Sequence, residues 1–270
     1  MYKCRICGKE FKTAQALGGH YVTAHNPELQ GMRSQKRWLL HREEGVQQIR
    51  NMVRMREERR LASLPRLTEE QREIVLGTVL GDGYLSIPPP RAKNARLTVV
   101  HALSQYEYLM WKYSKLKNIV KSPPRLERNT KYGAYGDVYR FQTICHPELT
   151  EIYKVAYVNG RKTITREFLN MIKTPTALAV WFLDDGSISM GKNGYIVISL
   201  HTEGYTLEEN RELVQWLKTN WDLTFSISQY RNYYFLHTPN MREAKKFLEL
   251  IKPIALEAFP GKVNSFMTLR

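Results

Sequence analysis

Two apolar segments that each run into Asp-Gly, 103 positions apart, constrain this chain more than any other feature. They are Val75-Leu76-Gly77-Thr78-Val79-Leu80-Gly81-Asp82-Gly83 and Leu178-Ala179-Val180-Trp181-Phe182-Leu183-Asp184-Asp185-Gly186. Each reads as a buried helix that ends at its acidic residue, with Gly83 and Gly186 supplying a left-handed turn to close it. A carboxylate in that place faces the negative end of the helix dipole, so something outside the helix must compensate. A divalent cation, which takes hard oxygen ligands, is the simplest candidate. Gly77 and Gly81 stand four apart on the first segment and let another helix backbone come close, so the two acidic ends can lie side by side.

The likeness extends beyond these helices. After Asp82 comes a strand-like run ending at His101 and then a helical stretch from Tyr106 to Trp111; after Asp185 comes a strand-like run ending at His201 and a helical stretch from Leu207 to Trp216. Each half continues with a Tyr/Arg-rich hairpin, an X-Pro turn (His146-Pro147, Thr238-Pro239), another helix, and a Gly with a Lys close behind it (Gly160 and Lys162, Gly261 and Lys262). A duplication of this kind predicts two similar lobes related by a pseudo-twofold axis, with features of both halves converging at the centre.

Residues 67 to 270 resemble a single-chain LAGLIDADG homing endonuclease, with Asp82 and Asp185 at the last acidic position of the two motifs. Thr78, Val180 and Trp181 depart from the motif letters, and Leu80 and Leu183 stand where its first Asp would be. The resemblance implies an α+β fold of two pseudo-symmetric αββαββα lobes, at 67–172 and 173–270, whose sheets form a saddle over the DNA major groove. It further implies two or more magnesium ions held by Asp82 and Asp185, with the carbonyls of Gly81 and Asp184 as supporting ligands. The Asp184 carboxylate either reaches a metal or is solvated, and the second reading is favoured. Lys162 and Lys262 match positions near the scissile phosphates, where a lysine polarises water, stabilises developing charge or anchors phosphate. His101 and His201 either organise water or are structural.

Base readout falls to alternating strand residues. In Tyr139-Arg140-Phe141-Gln142, Arg140 and Gln142 face outward, the side chains suited to guanine and adenine edges. Ser226 and Ser228 alternate with Phe225 and Ile227 in the second half. Arg125, Arg128, Lys131 and Arg231 lie beside the hairpins as phosphate contacts, which carry affinity and little sequence information.

At the N-terminus, Cys4 and Cys7 are followed by His20 and His25 at the spacing of a tetrahedral structural zinc site. Phe11 and Leu17 stand where such a unit needs its core. Residues 1 to 27 resemble a two-cysteine, two-histidine ββα zinc finger, of the subtype carrying Gln15-Ala16-Leu17-Gly18-Gly19-His20. Its base-facing helix positions fall on Thr13, Ala16 and Gly19, none suited to bidentate base contacts, so it reads as a phosphate-contacting or a protein-contacting module. Residues 28 to 66 form a basic helical linker, either solvated or an arm along a phosphate backbone, with Trp38, Val46, Ile49 and Val53 at helical spacing.

Charge agrees with a nucleic-acid partner. The chain carries 41 Lys and Arg against 26 Asp and Glu, and its formal net charge is +15. The excess is densest in the first 65 residues. A hydrophobic content of 43% excludes wholesale disorder. The short apolar runs exclude a bilayer span, three cysteines make no disulfide framework, and the charged N-terminus is no signal peptide. The expectation is an intracellular, monomeric, magnesium-dependent endonuclease that breaks both strands of a long DNA site, in cytoplasm or organelle according to its genome. The alternatives are a non-cutting binder on the same fold, either an RNA maturase or a DNA-binding regulator, and a strand-specific nickase.

Overall fold

The computed structural model describes residues 1–90, 92–128, 136–191 and 194–262. The chain divides into two compact units, Met1–Ser63 and Leu64–Arg270.

The first unit has almost no apolar interior. A hairpin pairs β1 (Tyr2–Lys3) with β2 (Glu10–Phe11), and helix α1 (Ala14–His20) follows. The Thr13 hydroxyl accepts from the Ala16 amide at 3.1 Å and caps that helix. A π-helical turn, Tyr21–His25, carries the second histidine. Helix α2 (Pro27–Ala62) runs 36 residues with none of them buried. It starts at an Asn26 cap with proline in its first turn, and exposes Trp38, Val46, Ile49 and Val53. Cys4 is the one residue of this unit that is buried.

The second unit holds the core. Helix α3 (Glu69–Leu80) opens on a reciprocal cap: the Thr68 hydroxyl accepts from the Gln71 amide, and the Gln71 side chain accepts from the Thr68 amide, both at 3.2 Å. Strands β3 (Tyr84–Ser86) and β4 (Arg96–Ala102), helix α4 (Tyr106–Leu116), strands β5 (Arg125–Glu127) and β6 (Val138–Gln142) and helix α5 (Pro147–Ala156) follow. A small hairpin of β7 (Tyr157–Val158) and β8 (Arg161–Lys162) and the short helix α6 (Arg166–Leu169) complete the first half. The second half runs α7 (Pro175–Asp185), β9 (Gly186–Met190), β10 (Ile196–Leu200), α8 (Leu207–Trp221), β11 (Ser226–Tyr230), β12 (Tyr233–His237) and α9 (Met241–Ala258). The two four-stranded sheets have the same order, β3-β4-β6-β5 and β9-β10-β12-β11, and every pairing is antiparallel. The architecture is therefore mixed α/β with two sheet lobes.

Helices α3 and α7 pack against each other at the centre, and both are buried nearly all round, which is why neither shows an amphipathic stripe. Gly77 permits that approach: a Cβ there would sit 2.8 Å from the Cβ of Val180 and closer still to the Ala177 carbonyl. Gly81 lies against the Asp184 side chain in the same way. The glycines after the acids act differently from the expectation. Gly186 is extended at φ −95°, and Gly83 is not among the glycines with positive φ. Thr78 crowds Gly83 and Phe182 crowds Gly186, so glycine is required there for space rather than for a left-handed turn.

Candidate active site

The packing of α3 on α7 brings Asp82 and Asp185 together. Burial, followed by repulsion from Asp82 and then Asp184, raises Asp185 to about 8. Asp82 is raised as well, by burial and then by Asp184. The side chain of Asp82 keeps 46% of its surface exposed, so the pair opens to the outside. Two crowded oxygen donors whose repulsion a positive charge would relieve suit a hard divalent cation such as magnesium.

Lysines answer the electrostatic problem posed by acids at helix C-termini. The Lys162 ammonium donates to the carbonyls of Gly81 at 2.7 Å and Gly83 at 3.0 Å. The Lys262 ammonium donates to those of Phe182 at 3.1 Å and Leu183 at 2.7 Å. Both lysines thus cap the negative ends of α3 and α7, and burial holds both below the ordinary lysine range. The Tyr205 hydroxyl, from the second half, donates to the Leu80 carbonyl at 3.3 Å.

The Asp184 carboxylate departs from the expectation of a solvated group. Its side chain is fully buried and paired with Lys112, which is equally buried. The Lys112 ammonium donates to Oδ1 at 2.7 Å and to Oδ2 at 2.9 Å, and the Tyr108 hydroxyl donates to Oδ1 at 2.8 Å. Burial of a carboxylate requires this compensation, because desolvation without a partner costs several kcal/mol by order of magnitude, about 3–5 when one partner is lost. Although Asp82, His101 and Asp184 bring ligand atoms within 4.8 Å of one another, Lys112 already supplies the cation for Asp184. The Nε2 of buried His101 lies 3.3 Å from the Lys112 ammonium, and burial, then Lys112, lower this histidine to about 4. His201 is exposed instead, with Nε2 3.1 Å from the Ser187 hydroxyl and Nδ1 3.0 Å from Glu203. Lys112 and Tyr108 escape a reading of sequence that scores α4 by its apolar residues. The available signal is that Tyr108, Leu109, Lys112 and Leu116, all buried, form one stripe, so the lysine sits on a core face.

The register places Arg140 and Gln142 of β6 on one face of the first sheet with Thr98 of β4 and Arg125 of β5. The Gln142 amide nitrogen donates to the Thr98 hydroxyl at 3.0 Å, leaving its oxygen and one N–H uncommitted to that bond. The Arg140 guanidinium donates to Glu127 and to the Tyr84 hydroxyl, each at 3.4 Å. On the second sheet Ser226 pairs with His237, Ser228 with Phe235, and Ser187 with Ser199, so the corresponding face is short, neutral and partly aromatic. Arg125 and Arg128 are exposed on the first half. Arg231 is exposed in the β11–β12 turn at φ 55°, with its guanidinium over the Tyr230 ring. Lys131 lies outside the described residues.

In the first unit, Cys4, Cys7, His20 and His25 converge within 4.8 Å. Cys4 Sγ lies 3.4 Å from His25 Nε2 and Cys7 Sγ 3.1 Å from His20 Nε2. These are near the edge lengths of a tetrahedron with bonds of about 2.0–2.3 Å, so the four donors fit zinc. Hydrogen bonds from backbone amides near Cys7 lower the Cys4 thiol, and burial followed by His25 lowers His20, both toward the forms that ligate. Among the described residues, no helix is long and apolar enough to cross a membrane.

A family model described as the LAGLIDADG DNA endonuclease family matches residues 72–247, and one for the C2H2-type zinc finger matches residues 1–28. The homing endonuclease I-WcaI, solved bound to its DNA recognition sequence, superposes with a TM-score of 0.66 at 25% identity, over 75% of this chain and 89% of that one. The RecA protein of Mycolicibacterium chitae is 37% identical over 150 residues, which are 54% of this chain and 32% of the relative. This chain thus spans under a third of the length of that relative and of its Mycobacterium gastri counterpart, at 31%. The cytochrome b mRNA maturase bI2 of Debaryomyces hansenii is 26% identical over 211 residues, 74% of this chain and 76% of the relative.

Proposed function

The chain belongs to the LAGLIDADG DNA endonuclease family, and from that premise we propose that it cuts both strands of a long, specific double-stranded DNA site, with magnesium held by Asp82 and Asp185. The observation that carries this reading is the meeting of those two carboxyl groups at the ends of α3 and α7, crowded, raised and open on one side. A divalent ion bound there would activate water and neutralise charge on the phosphoryl oxygens. The carbonyls of Asp184 and of Gly81, which accepts from Lys162 in the metal-free protein, would supply further oxygen ligands. Lys162 and Lys262 hold the helix ends in place and bring two ammonium groups beside the carboxylates, where a phosphate must sit. Arg140, Gln142, Ser226 and Ser228 read bases. Arg125, Arg128, Lys131 and Arg231 hold the backbone.

The finger, folded around one zinc ion, adds sequence-independent affinity through its basic surface and that of α2. The unit has too little core to fold otherwise. The chain acts as a monomer whose two lobes, 67–172 and 173–270, meet at the two acids.

The test is cleavage of DNA spanning the uninterrupted locus into which this gene is inserted, in magnesium, beside Asp82→Asn and Asp185→Asn. Wild type is expected to linearise a plasmid carrying the site and each variant to lose at least about a thousandfold in rate. Wild-type protein that binds the site and leaves it intact in magnesium overturns the assignment. The likeness to an mRNA maturase supports a second reading, assistance to RNA folding, and that outcome with gain of splicing on added intron RNA would establish it.

A further inference from the structure

The buried lysine defines a proton position next to the active site. Lys112 has three N–H groups, and three acceptors surround it: both oxygens of Asp184 at 2.7 and 2.9 Å, and His101 Nε2 at 3.3 Å. A histidine that accepts at Nε2 is neutral and carries its single proton on Nδ1. That Nδ1 is buried and has no hydrogen-bond partner, and it lies 4.0 Å from Asp82 Oδ2. The Gln105 side chain approaches the same ring. Asp82, with a side chain 46% exposed, is the carboxylate that this Nδ1 faces across that distance. The other half has no such arrangement, since His201 is exposed and engages Ser187 and Glu203.

We propose that His101 is a positioning residue for Asp82, that the buried Lys112–Asp184 pair fixes the proton it offers, and that the two strands are therefore cut unequally. The proposal rests on the endonuclease reading for its consequence, while the proton position stands apart from it. The second half supplies Asp184, the first supplies Lys112 and His101, and the result serves an acid of the first half. One half thereby orients the metal-binding group of the other. Loss of a group that orients a ligand costs about 10- to 100-fold in metal affinity or rate.

Two measurements on the full-length, metal-free and magnesium-loaded protein test this. Histidine-selective ¹⁵N NMR of the metal-free protein should show His101 as the Nδ1–H tautomer; an Nε2–H tautomer overturns the proposal whether or not the protein cuts DNA. Strand-resolved cleavage of a nicked-circle-forming plasmid is then compared for wild type, His101→Ala, His101→Asn and His201→Ala. The Asn amide places a donor near the position of Nδ1. His101→Ala should raise the magnesium concentration for half-maximal cutting about tenfold or more and accumulate nicked circles, with His101→Asn restoring most of both. His201→Ala should leave the strand ratio near that of wild type. Equal slowing of both strands in His101→Ala, or Asn no better than Ala in a folded protein, overturns it. Should wild type itself cut neither strand of bound DNA, the endonuclease reading fails and the tautomer remains the deciding result here.

Discussion

The ends of α3 and α7 carry the same Asp-Gly signature and are supported alike at the backbone but differently by side chains. Lys162 donates to Gly81 and Gly83, at and just past the end of α3, and Lys262 to Phe182 and Leu183 in the last turn of α7, because any carboxylate at a helix C-terminus needs a cation nearby. Beyond that shared requirement the halves diverge. The residue before Asp82 is Gly81, whereas the residue before Asp185 is Asp184, with its own buried counter-ion. His101 is enclosed and His201 is open. The first sheet presents Arg140, Gln142 and Arg125 on the face where the second presents serines and Phe235. What backbone electrostatics demands is duplicated, and what side-chain chemistry leaves free has diverged.

The largest test of that contrast is Lys112→Met. It strands a buried carboxylate and should cost about 3–5 kcal/mol, read as a fall in Tm of about 6–20 °C, while Lys262→Met, which removes hydrogen bonds to two carbonyls and leaves Asp184 its Lys112 partner, should cost about 1 kcal/mol. Similar losses for both would mean that the two helix ends are held in the same way. Next comes Gly77→Ala, whose methyl meets the backbone of α7; overpacking of this kind costs about 1–3 kcal/mol by thermal or urea unfolding. A neutral result would show that α3 and α7 are looser than their packing indicates.

On DNA, Gln142→Ala should lose about 1–3 kcal/mol of discrimination at one base pair, measured by selection from randomised sites, and Ser228→Ala less than about 1 kcal/mol. Equal losses would place the same readout burden on both sheets. The smallest effect concerns pH in chelator. Asp185 is raised to about 8, so the folded protein holds a proton that the unfolded chain releases near the ordinary carboxylate value. The contribution of Asp185 to the stability of the metal-free protein is therefore fully present below that ordinary value and is lost as pH rises toward 8. Asp185→Asn should flatten the slope of Tm against pH; an unchanged slope would remove the pair as its source. The amplitude is limited by the exposure of Asp82.

Much of this arrangement is legible in sequence because repetition carries it. The spacing of Asp82 to Asp185 and of Lys162 to Lys262 forecasts two halves, and the sheets have the same strand order. What escapes is whatever a distant partner decides. Asp184 reads as solvated because its counter-ion lies 72 positions away on a helix whose periodicity treats lysine as a polar interruption. Gly83 and Gly186 follow a local rule about helix ends that crowding by Thr78 and Phe182 overrides. The four zinc donors need no such context, since their spacing along one short segment is itself the geometry.

The contact of Gly81 with Asp184 has a consequence for how such a chain can be taken apart. There is room for one side chain at that point, and the structure places a carboxylate from α7 in it. Two copies of the first half, docked through α3, would leave the space void and Lys112 without its counter-ion. Two copies of the second half would drive two carboxylates into a space that holds one. Expressed as separate polypeptides and mixed, the halves should therefore sort themselves, each rejecting its own kind and accepting the other.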